Sequence, residues 1–164
     1  MVMALDGGQA PPALLDGLGG RWQALAASAA GRVLELPAAG VEEAVRSAFG
    51  RGARYDTILS FMRTPQVADL DIFVAALELV LAEDGWILMI EPSGSAGAER
   101  RGWLPFGLRR RRPSRDRPER DVVSALRAGG FTVADLHRRE LASAPARWRR
   151  YVEIRARRET SVQP

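Results

Sequence analysis

The chain has 164 residues, 46% of them hydrophobic, and a net charge of +4, the size and composition of one globular domain. It contains one histidine (His137) and no cysteine, lysine or asparagine. Disulfides, thiolate zinc sites, a cysteine nucleophile, histidine-rich metal sites, lysine Schiff bases and a Walker-type phosphate loop are therefore excluded. The charge is unevenly divided: residues 1–91 hold 6 Arg against 12 Asp and Glu (net −6), and residues 92–164 hold 18 against 8 (net +10).

Residues 1–20, rich in Gly, Pro and Ala, read as a flexible lead-in or a short helical turn. Residues 21–158 form the expected single α/β domain, and 159–164 a tail. Arg21 to Ala30 suits a short helix stopped by Gly31, and RVLEL (32–36) a short strand. Val41 to Phe49 has Val41, Ala44, Val45 and Ala48 at helical spacing. TILSF (57–61) is a second strand. The clearest helix spans Asp69 to Glu83, with Asp69 or Asp71 as its cap, and WILMI (86–90) follows as a buried strand. The stretch 92–120, with 9 Arg and 3 acidic residues, is an insert longer than compact domains usually carry. Asp121 to Ala128 reads as a helix, and FTVADL (131–136) and RYVEIRAR (150–157) as strands. In the last, Tyr151, Glu153, Arg155 and Arg157 share one face and Val152, Ile154 and Ala156 the other.

This alternation predicts an α/β sheet of about five strands, mostly parallel, with helices on both faces. The last two strands, joined by only about a dozen residues, are expected to pair antiparallel, since a parallel pair needs a crossover. No apolar run approaches the roughly 20 residues of a membrane span. The start MVMALDGG has neither a basic end nor a signal core, so a cytoplasmic location is expected.

The segment RYDTILSFMRTPQVADLDIFVAALELVLAEDGWILMIEPS (54–93) resembles the second half of a class I S-adenosylmethionine-dependent methyltransferase of the small-molecule, quinone-biosynthesis-like type. Tyr55-Asp56 stands as the family's aromatic-Asp pair, Asp69 through Leu81 as the helix after it, and Glu83-Asp84-Gly85 as the turn into the next strand. Residues 121–141 look like the last helix and sixth strand, and RYVEIRAR like the reversed seventh. The resemblance implies a Rossmann-like methyltransferase-type sheet whose last strand is antiparallel. It also implies S-adenosylmethionine as the cofactor if the protein is active, with Glu35, Gly40, Ser60 and Met62 as the residues that would bind it.

The cofactor half departs from that pattern. GRVLELPAAG (31–40) matches the first strand and its glycine turn at Glu35, but Pro37 and Ala39 stand where glycines belong. Those glycines allow close backbone approach and free φ; proline fixes φ and removes an N–H. Only Val41 to Arg54 separate Gly40 from Tyr55, room for one helix where the family has a strand, a helix and a strand. The carboxylate that would hold the ribose has no strand to sit on, and Glu42 and Glu43 read as a solvated helix face. A second register makes 32–36 the family's third strand, with even more of the site missing. In either register RVLEL is an uncovered edge unless 1–30 or a second chain covers it, so a homo- or heteromeric dimer around this edge is expected.

Asp56, Ser60, Met62 and Arg63 lie along or just past the second strand, near the usual ligand crevice of an open α/β sheet. The plainer roles are a strand-start cap for Asp56 and core filling for Met62. Glu91, at the end of WILMIEP, is placed to meet a substrate or partner, as a general base or a cation ligand; its plainer state is solvated. His137, beside Arg138 and Arg139, reads as a surface residue. In the insert, Trp103 and Phe106 precede Arg109, Arg110, Arg111 and Arg112, a pattern suited to stacking on bases, to phosphate contact or to an anionic membrane. Trp103 and Phe106 would be lid residues in the family, and Ser114 resembles a basophilic kinase site. The plainer state of the insert is a solvated loop. No catalytic residue and no metal site can be assembled.

The leading expectation is a degenerate methyltransferase-like protein that does not bind S-adenosylmethionine alone and acts by protein contact. An active methyltransferase on a small apolar molecule, completed by a partner, is the second. A nucleic-acid or anionic-surface module using the insert is the third.

Overall fold

The computed structural model describes residues 12–93, 121–145 and 148–158, with side chains from residue 16 onward. Helix α1 (Pro12–Ala26) is followed by β1 (Val33–Glu35), α2 (Val41–Gly50), β2 (Tyr55–Phe61), a single 3-10 turn (Thr64–Gln66), α3 (Leu70–Val80), β3 (Leu81–Pro92), α4 (Val122–Ala128), β4 (Phe131–Glu140) and β5 (Arg150–Arg158). The strands form one sheet in the order β1-β2-β3-β5-β4. β1 pairs parallel with β2 and β2 with β3, whereas β5 runs antiparallel to both β3 and β4. The mostly parallel five-stranded sheet with one reversed last strand is as the sequence predicts.

Local chemistry accounts for the helix starts. Asp69 accepts hydrogen bonds from the N–H groups of Asp71 (3.0 Å) and Ile72 (3.1 Å), so it and not Asp71 caps α3. Asp121 does the same for α4 through the Ser124 N–H at 3.1 Å. Glu42 and Glu43 sit in the first turn of α2, where the helix dipole favours negative charge. α3 ends at Val80 rather than Glu83, and β3 begins at once. Tyr55 pairs with Leu81 and Thr57 with Trp86, so residues 82–85 bulge opposite Asp56, and the expected Glu83-Asp84-Gly85 turn survives inside a strand.

Of the lead-in or short helical turn expected over 1–20, residues 1–11 lie outside the described residues, and from Pro12 the chain is helical in α1, through its glycines. Gly17 has a packing reason: a Cβ there would sit 2.8 Å from the Leu141 side chain. α1 lies on one face of the sheet, with Leu18 and Trp22 buried against Phe61, Ile90, Trp148 and Tyr151. Trp22 stacks on Phe61 at 5.0 Å. The other face carries α2, α3 and α4 over a larger core that includes Val45, Ile58, Leu77, Met89, Leu126 and Ile154. Each such side chain contributes about 1.5–3 kcal/mol when fully buried.

The expected alternation of β5 is observed: Val152, Ile154 and Ala156 enter the larger core. On the opposite face Tyr151 lies under α1, Glu153 pairs with Arg21 at 3.0 Å, and Arg155 and Arg157 lie over the Trp86 ring. β1 is an edge strand, as expected, but α1 does not cover it; the helix sits over β2, β3 and β5. Among the described residues no helix is long and apolar enough to cross a membrane.

Candidate functional site

The carboxyl ends of β1, β2 and β3 meet where open α/β sheets bind ligands. β2 ends at Phe61, and Met62 then takes a left-handed backbone (φ 56), the one non-glycine residue with positive φ among the described residues. Its N–H donates to the Ile90 carbonyl at 2.8 Å, which ties the turn to β3. Arg63 follows in the right-handed region (φ −99, ψ −29). A left-handed residue followed by a right-handed one aims successive N–H groups at a single point and forms an anion-binding nest.

The Glu91 carboxyl occupies that nest. One carboxylate oxygen accepts from the Arg63 N–H at 3.1 Å and from the Ser60 hydroxyl. The other accepts from the Thr64 N–H at 3.0 Å and the Thr64 hydroxyl at 2.8 Å. Glu91 has 0% exposure. Burial pushes its carboxyl above the ordinary value, while the Ser60, Thr64 and Arg63 hydrogen bonds pull it back down.

Arg63 closes the space between this nest and β1. Its Nε donates to the Leu36 carbonyl at 3.2 Å, and its buried Nη1 has no hydrogen-bond partner among the described residues. Burial lowers the guanidinium pKa, and the Glu91 and Glu35 carboxylates oppose that shift. Leu36, Ser60, Arg63, Thr64 and Glu91 are all buried, so the strand ends pack against one another.

The structure brings four sequence-named candidates together: Ser60, Met62, Arg63 and Glu91. Glu91 is corrected from a solvated residue to a fully enclosed one, because four donors from the end of β2 and the turn after it converge on it. Met62 fills the α1-side core, the plainer role, with an unforeseen left-handed backbone. Glu35 ends β1 half-buried, and Gly40 opens α2 with φ 71 and open space where a Cβ would stand.

Asp56 takes the plainer role too: its carboxylate accepts the Arg32 N–H at 2.6 Å and fixes the entry to β1. Glu42 is exposed on α2, as expected of a solvated helix face, and its carboxylate also accepts the Ala68 N–H at 2.7 Å, which ties α2 to the start of α3. His137 is exposed on β4. Trp103, Phe106, Arg109, Arg110, Arg111, Arg112 and Ser114 lie outside the described residues. Thr64, which supplies two of the four donors, was not among the sequence candidates; a Thr three residues past a strand end carries no distinctive spacing signal. Among the described residues no three His, Asp or Glu side chains converge to hold a metal ion.

No family model and no curated protein matches the chain. Solved structures do. An O-methyltransferase from Nostoc punctiforme PCC 73102 aligns with a TM-score of 0.51 at 13% identity, over 89% of this chain and 57% of its own. M1.HpyAVI aligns with a TM-score of 0.41 at 10% identity, over 77% of this chain and 54% of its own. Trm5b from Pyrococcus abyssi aligns with a TM-score of 0.43 at 12% identity, over 90% of this chain and 49% of its own. This chain thus spans about half the length of these proteins. The sheet order, the reversed last strand and the Nostoc likeness agree: the chain has a class I methyltransferase-like fold.

Proposed function

We propose that this is a degenerate methyltransferase-like protein that does not take up S-adenosylmethionine by itself and acts through protein contact at the β1 edge. The observation that carries the reading is the occupied nest. At the strand ends where a nucleoside cofactor would lie, the chain's own Glu91 takes the converging N–H groups and Arg63 spans to Leu36. A cofactor would have to displace an internal, four-fold hydrogen-bonded carboxylate, and the Pro37–Gly40 turn offers one glycine as a replacement cradle. Glu35 and the left-handed Gly40 favour a second reading, in which a partner chain completes a working cofactor pocket.

The contact surface follows from the ladder. Leu36 N–H and Arg32 C=O bond into β2, so the alternating residues Val33 and Glu35 point their N–H and C=O groups outward, unpaired within the sheet. Titration calorimetry of the isolated chain with S-adenosylmethionine and its demethylated product tests the first part: no saturable heat is expected at millimolar ligand, and a micromolar Kd overturns it. The second part is tested by light scattering and affinity co-purification of the full chain at native abundance. A dimer or a stoichiometric partner is expected. Val33→Pro, which removes only an outward N–H, should abolish the association while leaving the melting temperature within a few degrees of wild type. A monomer that brings no partner contradicts it.

A further inference from the structure

Among the described residues four large apolar side chains stand out as exposed, and three of them, Phe49 (50%), Ile72 (69%) and Leu79 (45%), line a single groove between α2 and α3. The groove encloses about 320 Å³. Its origin is in the α3 sequence, which carries two apolar stripes. Phe73, Val74, Leu77 and Val80 face the core. Ile72, Ala76 and Leu79, at i, i+4 and i+7, form a second stripe that lines the groove. A helix apolar on two sides is built to be covered on both.

The rim says what kind of cover. Glu42 and Asp69 border the groove, with Glu43 and Asp71 beside them on the same two helices. Arg46, the one basic residue lining it, is held by Glu43. Glu42 uses Oε1 to hold the Ala68 N–H, and Asp69 uses Oδ1 to cap α3, which leaves the other oxygen of each for an incoming cation. An apolar floor between two helices with a net acidic rim is complementary to an amphipathic helix bearing Arg or Lys beside its apolar stripe.

We propose that the α2–α3 groove is a docking site for a basic amphipathic helix of a partner protein, anchored by large apolar side chains against Phe49, Ile72 and Leu79. The proposal rests on the protein-contact reading and names a second surface for it, away from the strand-end crevice. Cofactor calorimetry and the assay below report on different sites, so either can fail alone.

The test is fluorescence anisotropy of the full chain with a labelled Leu/Lys helix of about 20 residues, beyond the length at which isolated helices are marginal. Its leucines lie on one face, and a Leu/Glu helix of the same pattern is the control. Saturable binding of the Leu/Lys helix alone is expected, weakening with salt. Ile72→Ser, at an exposed position that should leave the melting temperature unchanged, is expected to weaken it about tenfold, as loss of an interface anchor does. Equal binding of both helices, or Leu/Lys binding indifferent to Ile72→Ser, overturns the proposal. So does self-association of the chain that disappears in Ile72→Ser, which would make a second copy the occupant.

Discussion

At one edge of the sheet β1 contributes three residues in a parallel ladder, with Val33 exposed and Leu34 half-buried. At the other edge β4 contributes ten, and its exposed positions include Asp135, His137, Arg138, Arg139 and Glu140. The second is an edge protected as natural sheets usually are, by charge along its length. The first is short and apolar, and it ends beside the buried polar cluster around Glu91. The β4–β5 end is held by a long antiparallel ladder and by α1 packing; the β1 end is held by three register pairs and by Arg63, Asp56 and Thr57 reaching across to it. The sheet is thus fastened at one end by a long ladder and α1 burial, and at the other by a short ladder, apolar contacts of Leu34 and Leu36, and side-chain hydrogen bonds. Both edge strands turn backbone groups outward, and those of β4 are flanked by charged side chains.

The largest expected effect probes the apolar end. Trp22→Ala removes a nearly enclosed ring stacked on Phe61 and should cost about 3–5 kcal/mol in denaturant unfolding. A loss of under about 1 kcal/mol would mean that α1 is not part of the core, because a buried indole cannot be deleted that cheaply.

Next comes Glu91→Gln at the polar end. All four of its partners donate, two of them backbone N–H groups that cannot invert, so the Gln amide must face a donor. The expected loss is about 1–3 kcal/mol, the cost of an unsatisfied buried group. The pH dependence sharpens this. Because the folded pKa of Glu91 is raised above its ordinary 4.5, the folded state holds a proton that the unfolded chain releases. The stability this adds is complete below 4.5 and is lost as pH rises through the folded value. The advantage of wild type over Glu91→Gln should therefore be greatest in acid and shrink toward neutrality. An advantage that grows with pH would mean a lowered pKa and a nest stronger than burial.

Arg21→Ala, the smallest, removes an exposed partner of Glu153 at the apolar end and should change stability by under about 1 kcal/mol, less in high salt. A larger loss would show that ion pairing, and not ring burial, fastens α1.

Much of this architecture is legible in residue periodicity. The two-faced alternation of 150–157, the Asp69 cap and the exposed first strand all follow from local spacing, and each has the predicted place. α1 was hidden by composition: its glycines look like a linker until Gly17 is seen against Leu141. The strand-end cluster was hidden for a different reason. Glu91 lies 27 residues or more from each of its partners, and the nest depends on Met62 adopting a left-handed turn that no Met-Arg-Thr spacing announces. Residues 60, 62 and 91 could be named as candidates from their strand positions. That they would be enclosed together needed the register of β2 on β3.

In the proposed reading, Glu91 occupies the site a cofactor would need. The most direct measurement follows the backbone amides of Arg63 and Thr64 by NMR as S-adenosylmethionine is added to the isolated chain. Both amides should resist hydrogen exchange and keep their positions at millimolar cofactor, since Glu91 already holds them. Saturable shifts of these two amides at micromolar cofactor would contradict the account.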